Sequence, residues 1–382
     1  MRVVIAPDSF TGSMTARQAA AAIDEGWRRT APGDQTVLLP ISDGGPGFVT
    51  CLAAGLGGAL VPVSSQGPWG AAAEGQILIV AETGGRTAYL EVAQVAGGQV
   101  GAGDALAGSS AGVADLLLAA IDAGATRVVV GLGGTVTSDG GAGMLAALGA
   151  TALDAQGGDA TDALLAGGGS LGAVASVDLS AARAKLASVE LLIATDVDNP
   201  LLGPRGSARG FAPQKGVGEA DIETLEEALR ALAHACGRTG DGRSPAVALG
   251  AGAAGGIGFA LLHLGAERVS GIDWVLGALD FGRAVAGSDL VITGEGAFDW
   301  QSMHGKGITG VSRSAMEYGR PVLLLAGRIE VGRREWMALG ISGAYAISDQ
   351  AGQPTPGEPA LLEQGPALLA DLAGRAARTW SR

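Results

Sequence analysis

Two carboxylates two residues apart, Asp196 and Asp198, are the first sign of chemistry in this chain. They lie in Leu192-Ile193-Ala194-Thr195-Asp196-Val197-Asp198-Asn199-Pro200, which ends an apolar strand. The loop continues through Gly203-Pro204-Arg205-Gly206-Ser207 to Ala212-Pro213-Gln214-Lys215-Gly216. On an extended segment residues i and i+2 share a face. Two carboxylates, an amide and a lysine so arranged suit phosphoryl transfer to a hydroxyl. One Asp accepts the proton, another helps hold a metal ion, and the lysine neutralises the moving phosphoryl group. Asp196, fixed at a strand end, is the expected base; Asp198 is the reserve and the metal candidate. Only three of the 25 basic residues are lysines, Lys185, Lys215 and Lys306, and Asn199 is the sole asparagine. In a chain so biased, the survivors mark positions where Arg or Asp would not serve. Lys215, Lys306 and Asn199 all lie in Gly/Pro-rich loops.

Four other loops combine glycine with catalytic side-chain types. They are Asp8-Ser9-Phe10-Thr11-Gly12-Ser13, Ser42-Asp43-Gly44-Gly45, Gly133–Gly141, and Gly294-Glu295-Gly296 running on through Asp299, Gln301 and Ser302 to Lys306. Glycines let backbone approach an anion, hydroxyls donate to it, and a carboxylate can hold Mg²⁺ or take a proton. A Walker A loop is absent, because His304-Gly305-Lys306-Gly307 has neither the upstream glycine nor the following Ser/Thr. Gly250-Ala251-Gly252-Ala253-Ala254-Gly255 matches GxGxxG, with Asp273 about 20 residues on. The match permits a dinucleotide site, a nucleotide phosphate loop, or close helix–strand packing.

These loops need elements to hold them, and the pattern supplies a repeating unit of apolar strand, Gly-rich loop and amphipathic helix. Val3–Ala6 leads into a helix with Ala16, Ala19, Ala20, Ile23 and Trp27 on one face. Strands are expected at Val37–Leu39, Arg127–Leu132, Ala246–Leu249, Leu290–Thr293, Pro321–Leu325 and Ala344–Ile347. Continuous apolar strands alternating with helices argue an α/β fold with parallel sheet. Neither chain end has enough strands for a sheet alone. The expected fold is therefore a doubly wound, Rossmann/flavodoxin-like domain made from both ends, residues 1–65 and 269–382. Residues 66–268 form an inserted mixed α/β domain, with the active site expected in the cleft between the two. Asp154–Val177 reads as a surface excursion.

The composition of the 382 residues, 47% apolar and 16% charged, builds a core and excludes disorder. Acidic residues outnumber basic ones 38 to 25, a net −13. That charge removes the basis for counterion-release binding of nucleic acid and for attraction to an anionic membrane. Ser244–Ala266 is uncharged until Ala266 but broken by glycines, so it is no membrane span. Cys51 and Cys236 cannot build a disulfide framework, and His234, His263 and His304 form no ligand cluster. The expected location is the cytoplasm.

Taken together the loops resemble those of the class I glycerate kinases. The matching segments are Ala6–Phe10, Pro40–Gly45, Gly131–Gly149, Asp196–Gly216, Gly250–Gly258 and Asp289–Lys306, in order over nearly the whole chain. The resemblance implies a two-domain enzyme that transfers phosphate from ATP to D-glycerate with Mg²⁺, commonly giving 2-phosphoglycerate. Its partners would be a small hydroxy acid and ATP, and a homodimer is allowed. On residues and resemblance together, Asp196, Lys215 and Lys306 are the catalytic candidates. Asp8, Ser9, Asp43, Gly44, Asn199, Gln214, Asp299 and Gln301 are assigned to substrate. Gly133, Gly134, Thr135, Asp139, Gly252 and Gly255 are assigned to nucleotide, and Asp198 and Glu295 to metal. The chain departs from the family at Thr11 (usually lysine), Pro46 and Phe48 (glutamate and threonine), Ser138 (asparagine) and Ala297 (arginine). Its Leu106–Gly112 replaces a Tyr- and Thr-containing segment. Arg86, Arg205, Arg209, Arg313 or Arg328 could restore the missing charge. A different hydroxy-acid acceptor, or a non-catalytic ligand-binding protein, is the alternative reading.

Overall fold

The computed structural model describes residues 1–10, 12–304, 306–349 and 359–381, with backbone alone at 301, 304, 306 and 359–363. Its strands, in chain order, are β1 (Arg2–Ile5), β2 (Gln35–Leu38), β3 (Ala59–Gln66), β4 (Ala72–Glu82), β5 (Gly85–Glu91), β6 (Arg127–Gly131), β7 (Thr151–Leu153), β8 (Ser176–Asp178), β9 (Glu190–Ala194), β10 (Glu267–Val269), β11 (Leu290–Phe298), β12 (Val322–Ile329) and β13 (Ile341–Ala346). The chain divides into two compact units. One comprises Met1–Asp43, Thr50–Leu56 and Ile272–Arg382, the other Gly44–Val49 and Gly57–Gly271.

The first unit is built on an all-parallel sheet of order β13-β12-β11-β1-β2. Both chain ends contribute, with Val3 opposite Leu290 and Ile5 opposite Ile292. Alternate residues of each strand enter different cores, which is why the strands are apolar throughout. Val3, Ile5, Leu290, Ile292, Leu323 and Leu325 pack under Ile23 and Trp27 of helix Ala16–Thr30 and Leu369 of helix Pro359–Trp380. Val4, Val291, Val322 and Leu324 pack with Phe281, Val285, Ile308 and Val311 on the other face. Helix Ala16–Thr30 starts at a capping box in which the Thr15 side chain accepts from Gln18 N at 3.2 Å and Gln18 Oε1 accepts from Thr15 N at 2.9 Å. The direction of winding reverses between β1 and β11, which makes the carboxyl ends of those strands the switch point of the sheet.

The second unit holds a mixed sheet of order β10-β9-β6-β5-β4-β3, parallel from β5 to β10 and antiparallel at β3 and β4. Its unit boundary differs from the expected residue 65. β3 pairs with β4 from Ala59–Ile79 to Gln66–Ala72, so the chain has left the first unit before β3 begins. At the far end β10 pairs with β9, and the return comes at Ile272. The expected strand at Ala246–Leu249 is instead a 3-10 turn, Pro245–Val247. Pro245 has no N–H to give a ladder, and Val247 and Leu249 are exposed. Asp154–Val177 is more than a surface excursion: β7 and β8 pair antiparallel around it, and Leu164 and Leu171 join a core with Leu225, Leu229 and Phe259. Among the described residues no helix is long and apolar enough to cross a membrane.

Candidate active site

Both units place their chemistry-bearing residues where parallel strands end. In the first unit the loop after β1 is tied to β11: Ala6 N donates to Ile292 O at 2.7 Å and Asp8 N to Gly294 O at 2.8 Å. Ile41 N donates to Pro7 O at 3.0 Å, bringing the Ser42-Asp43 turn alongside. The result is a group of carboxylates at the switch point. Burial pushes the Asp8 carboxyl well above its ordinary value, and the charges of Asp43 and Glu295 push it the same way. Glu295 is pushed up to about 7, first by burial and then by Asp299 and Asp43 against a hydrogen bond from Ser302. Its Oε1 is buried without a hydrogen-bond partner among the described residues. Asp299 caps the helix Trp300–His304, accepting from Ser302 N at 3.1 Å. Ser9 N donates to Asp8 Oδ1 at 2.5 Å. Gln301 lies in the short helix Trp300–His304 and Lys306 starts the helix Lys306–Glu317; the side chains of both fall outside the described residues, as do Thr11 and Gly305 entirely.

In the second unit the Asp196–Asn199 loop follows β9, and its partners come from the neighbouring strand. Ser270 Oγ donates to Asp196 Oδ1 at 2.9 Å. Arg268 pairs with Asp198 through Nη2. Arg268 and Ser270 are two apart and so share a face, which answers the same spacing in Asp196 and Asp198. Asn199 Nδ2 donates to Arg205 O at 2.7 Å and so fastens the turn that follows. Gln214 is exposed beside Lys215 on the 3-10 turn Pro213–Lys215.

Lys215 is buried, with 7% of its surface exposed. Its Nζ donates to Thr135 Oγ1 at 3.1 Å and to Thr137 O at 2.7 Å. The ammonium's third N–H has no acceptor among the described residues. Burial pushes the lysine down to about 8, and the Asp139 charge acts against that fall. Gly255 explains how two glycine loops close on this lysine. Its φ is +71°, and a Cβ there would stand 2.0 Å from Thr137 O and 3.0 Å from Lys215 Nζ. Gly140 N donates to Gly255 O at 2.9 Å. Gly252 N donates likewise to Asn199 O at 2.9 Å, so the GxGxxG glycines serve backbone packing. The element leading into them is the 3-10 turn Pro245–Val247 and not a strand, so the dinucleotide reading loses its required context.

Asp139, assigned to nucleotide from the sequence, is turned inward. It is fully buried and accepts from Ser110 N at 2.8 Å, Ser110 Oγ at 2.7 Å, and Gly141 N and Gly143 N at 3.1 Å each. Gly133 and Gly134 lie against Gly45 and Pro46, and Gly44, at φ +105°, has room for no Cβ because Ala194 O would be 2.3 Å away. Sequence reasoning missed Ser110, Arg268, Ser270 and Glu91. Glu91 is buried and receives Val49 N at 3.3 Å at the start of helix Phe48–Leu56. The alternation Arg268-Val269-Ser270 was a usable signal, hidden because it fell on the expected domain boundary. Among the unusual residues, Phe48 is fully buried with its ring edge-on to Tyr89, and Ser138 is buried with its hydroxyl unpartnered among the described residues. Of the five arginines, Arg328 is the one placed by strand register opposite Ala297. Arg209 and Arg313 are engaged with Glu223 and Asp273, and Arg86 donates to Ala123 O. A pocket of about 630 Å³ lined by Thr239, Arg243, Val247, Leu262 and Glu267 includes none of the candidates.

Carboxylates and a buried lysine at the carboxyl ends of parallel strands in each unit are the side chains of an α/β enzyme of the phosphotransferase type. The model of the glycerate kinase family matches residues 3–381. A protein named glycerate kinase from Bacillus subtilis (strain 168) is 39% identical over 351 residues, 91% of this chain and 90% of that protein. One named glycerate 2-kinase from Escherichia coli (strain K12) is 40% identical over 333 residues, 86% of each chain. The solved structure of an assigned glycerate kinase 2 from Salmonella typhimurium LT2 has a TM-score of 0.78 at 34% identity, covering 99% of this chain and 98% of that one. The chain belongs to the glycerate kinase family, and it is a kinase with an alcohol group as acceptor.

Proposed function

We propose that the protein transfers the terminal phosphoryl group of ATP to a hydroxyl of D-glycerate, giving 2-phosphoglycerate, with Mg²⁺ as cofactor. The observation that carries this reading is Lys215, a buried ammonium with one N–H left over, held by a glycine loop at the end of parallel strands. Such a donor is oriented before a phosphoryl group arrives and loses little on reorganisation, the condition under which electrostatic stabilisation of a transition state is large. The name of the Escherichia coli relative, glycerate 2-kinase, supports the position phosphorylated.

In the second unit, Asp196 takes the proton of the attacking hydroxyl, with its carboxylate oriented by the Ser270 hydroxyl. Lys215 bears on the charge of the phosphoryl oxygens. Arg268 neutralises Asp198, so the two carboxylates of the loop do not compete for one proton. In the first unit, Glu295 is the group that fits a metal ion, because its buried oxygen is unpartnered among the described residues and other carboxylates stand near it. Mg²⁺ held at Glu295 would offset the charge of the substrate's phosphate oxygens. Three His, Cys, Asp or Glu side chains nowhere converge on one point among the described residues. Mg²⁺ held together with substrate phosphates needs only one or two carboxylates from protein.

The test is ADP release coupled to NADH oxidation, with D-glycerate and a panel of small hydroxy acids, and ³¹P NMR of the product. Phosphorylation of D-glycerate at the 2-position is expected. Turnover with a different acid alone would reassign the acceptor, and no turnover with any would leave a ligand-binding protein.

A further inference from the structure

Asp139 has the geometry of a counter-charge, not of a ligand contact. Four donors converge on it: two N–H groups from the glycine turn, the Ser110 N–H and the Ser110 hydroxyl. Three backbone N–H groups and a hydroxyl directed at one carboxyl group favour its ionised form, against burial, which pushes it above its ordinary value. The Ser110 hydroxyl is itself polarised, since it accepts from Met144 N at 3.2 Å while donating to Asp139. Full burial leaves this carboxylate no surface for a nucleotide. Two residues before it, Thr137 presents the carbonyl that Lys215 holds at 2.7 Å. Gly255 closes the other side of the ammonium with backbone alone.

We infer that Asp139 is a positioning residue, the fixed counter-charge that keeps Lys215 an ammonium and holds the Thr135–Thr137 backbone in the shape the lysine grips. Among the described residues Asp139 is the charged group that acts on Lys215. Its effect opposes burial, which by itself drives the lysine toward the neutral amine. The lysine's importance to turnover rests on the phosphotransfer reading above. The ionisation of the pair does not.

The chain's three lysines make the test direct. Full-length protein labelled with ε-¹³C lysine gives three Cε resonances, and Lys215→Gln identifies one by its loss. In the wild type that resonance should titrate with a midpoint of about 8. Asp139→Asn should lower the midpoint by about one pH unit or more. The alkaline limb of kcat should move with it, so turnover at pH 7.5 falls about threefold as the charged fraction drops. Ser110→Ala removes one hydrogen bond but keeps the carboxylate, and should leave the midpoint in place. A midpoint unmoved in Asp139→Asn, or moved as far in Ser110→Ala, would overturn the assignment. Should Asp139→Asn not fold, the wild type alone decides: the Lys215 resonance must show a second, acid step as Asp139 protonates, and a flat response through the carboxylate range refutes the pairing. Absence of kinase activity in the wild type would sink the phosphotransfer reading and leave the titration result standing.

Discussion

Replacing Lys215 by Met should move activity and stability in opposite directions at neutral pH. The lysine is pushed from 10.5 down to about 8, which at 1.36 kcal/mol per unit means the folded state bears about 3 kcal/mol for keeping it charged. The sign follows from proton binding. Between about 8 and 10.5 the unfolded chain holds a proton that the folded chain lacks, so wild-type stability rises with pH across that window. Below pH 8 the cost is present in full, and above 10.5 it is gone. Met, of similar length, removes that cost but leaves the Thr137 carbonyl without its donor, a loss of about 1–3 kcal/mol. At pH 7 the variant should therefore be as stable as the wild type or up to ~2 kcal/mol more stable. Near pH 11 it should be less stable by about 1–3 kcal/mol. kcat should fall about 10²-fold or more, the usual effect of removing a preorganised transition-state donor. Urea unfolding at pH 7, 9 and 11, with steady-state kinetics alongside, measures both. A variant less stable than wild type by the same amount at all three pH values would refute the claim that Lys215 is a costly buried charge. Turnover within threefold of wild type would refute its role in the reaction.

Asp196→Asn keeps shape and the Ser270 contact but removes the proton acceptor, so kcat should drop by about 10²-fold with ATP affinity retained, and more than about a tenth of wild-type turnover would exclude general-base catalysis there. Arg328→Met should raise KM for the acid substrate about tenfold if the guanidinium opposite Ala297 supplies a charge-assisted contact, and should leave KM unchanged if its ion pair with Glu330 is its whole role. His263 is 2% exposed, has both ring nitrogens unpartnered among the described residues, and is pushed down to about 4 by burial and then by Arg183. The unfolded chain thus binds the extra proton between about 6.5 and 4, and the wild type should lose about 2 kcal/mol of stability from pH 7 to pH 5 that His263→Leu does not lose.

The fold was readable from the chain because its strands are apolar on both faces. Val3-Val4-Ile5 and Leu290-Val291-Ile292 alternate between two cores, and only a sheet covered on both sides by helices uses such residues throughout. The pairing of chain ends followed from counting strands. What misled was local. Ala246-Val247-Ala248-Leu249 has the composition of a strand, but Pro245 begins a 3-10 turn and two of the four residues stay in water. β3 was placed in the wrong unit because an edge strand that contains Pro62 and is half exposed carries no sign of which sheet it joins.

The candidate site divides on a different line. Residues to which the proposal gives a chemical role, such as Asp196, Lys215 and Glu295, stood out in the sequence by their type and their place in loops that follow strands. Those that organise them did not. Asp139 resembles Asp196 in sequence, a carboxylate in the loop after a strand, yet one is fully buried under four donors and the other accepts from the Ser270 hydroxyl and is half-buried. The difference lies in what the turn does next. Gly140 and Gly141, at φ +66° and +77°, curl the backbone so that the N–H groups of Gly141 and Gly143 point back at Asp139. The turn after Asp196 lacks one of these donors, because Pro200, four residues on, has no N–H to offer. Asp196 and Asp198 find partners from the neighbouring strand instead: Arg268 on β10 and Ser270 just after it. A turn that closes on its own carboxylate makes a support; one that cannot leaves the carboxylate half-buried at the strand end, where the proposed base would stand.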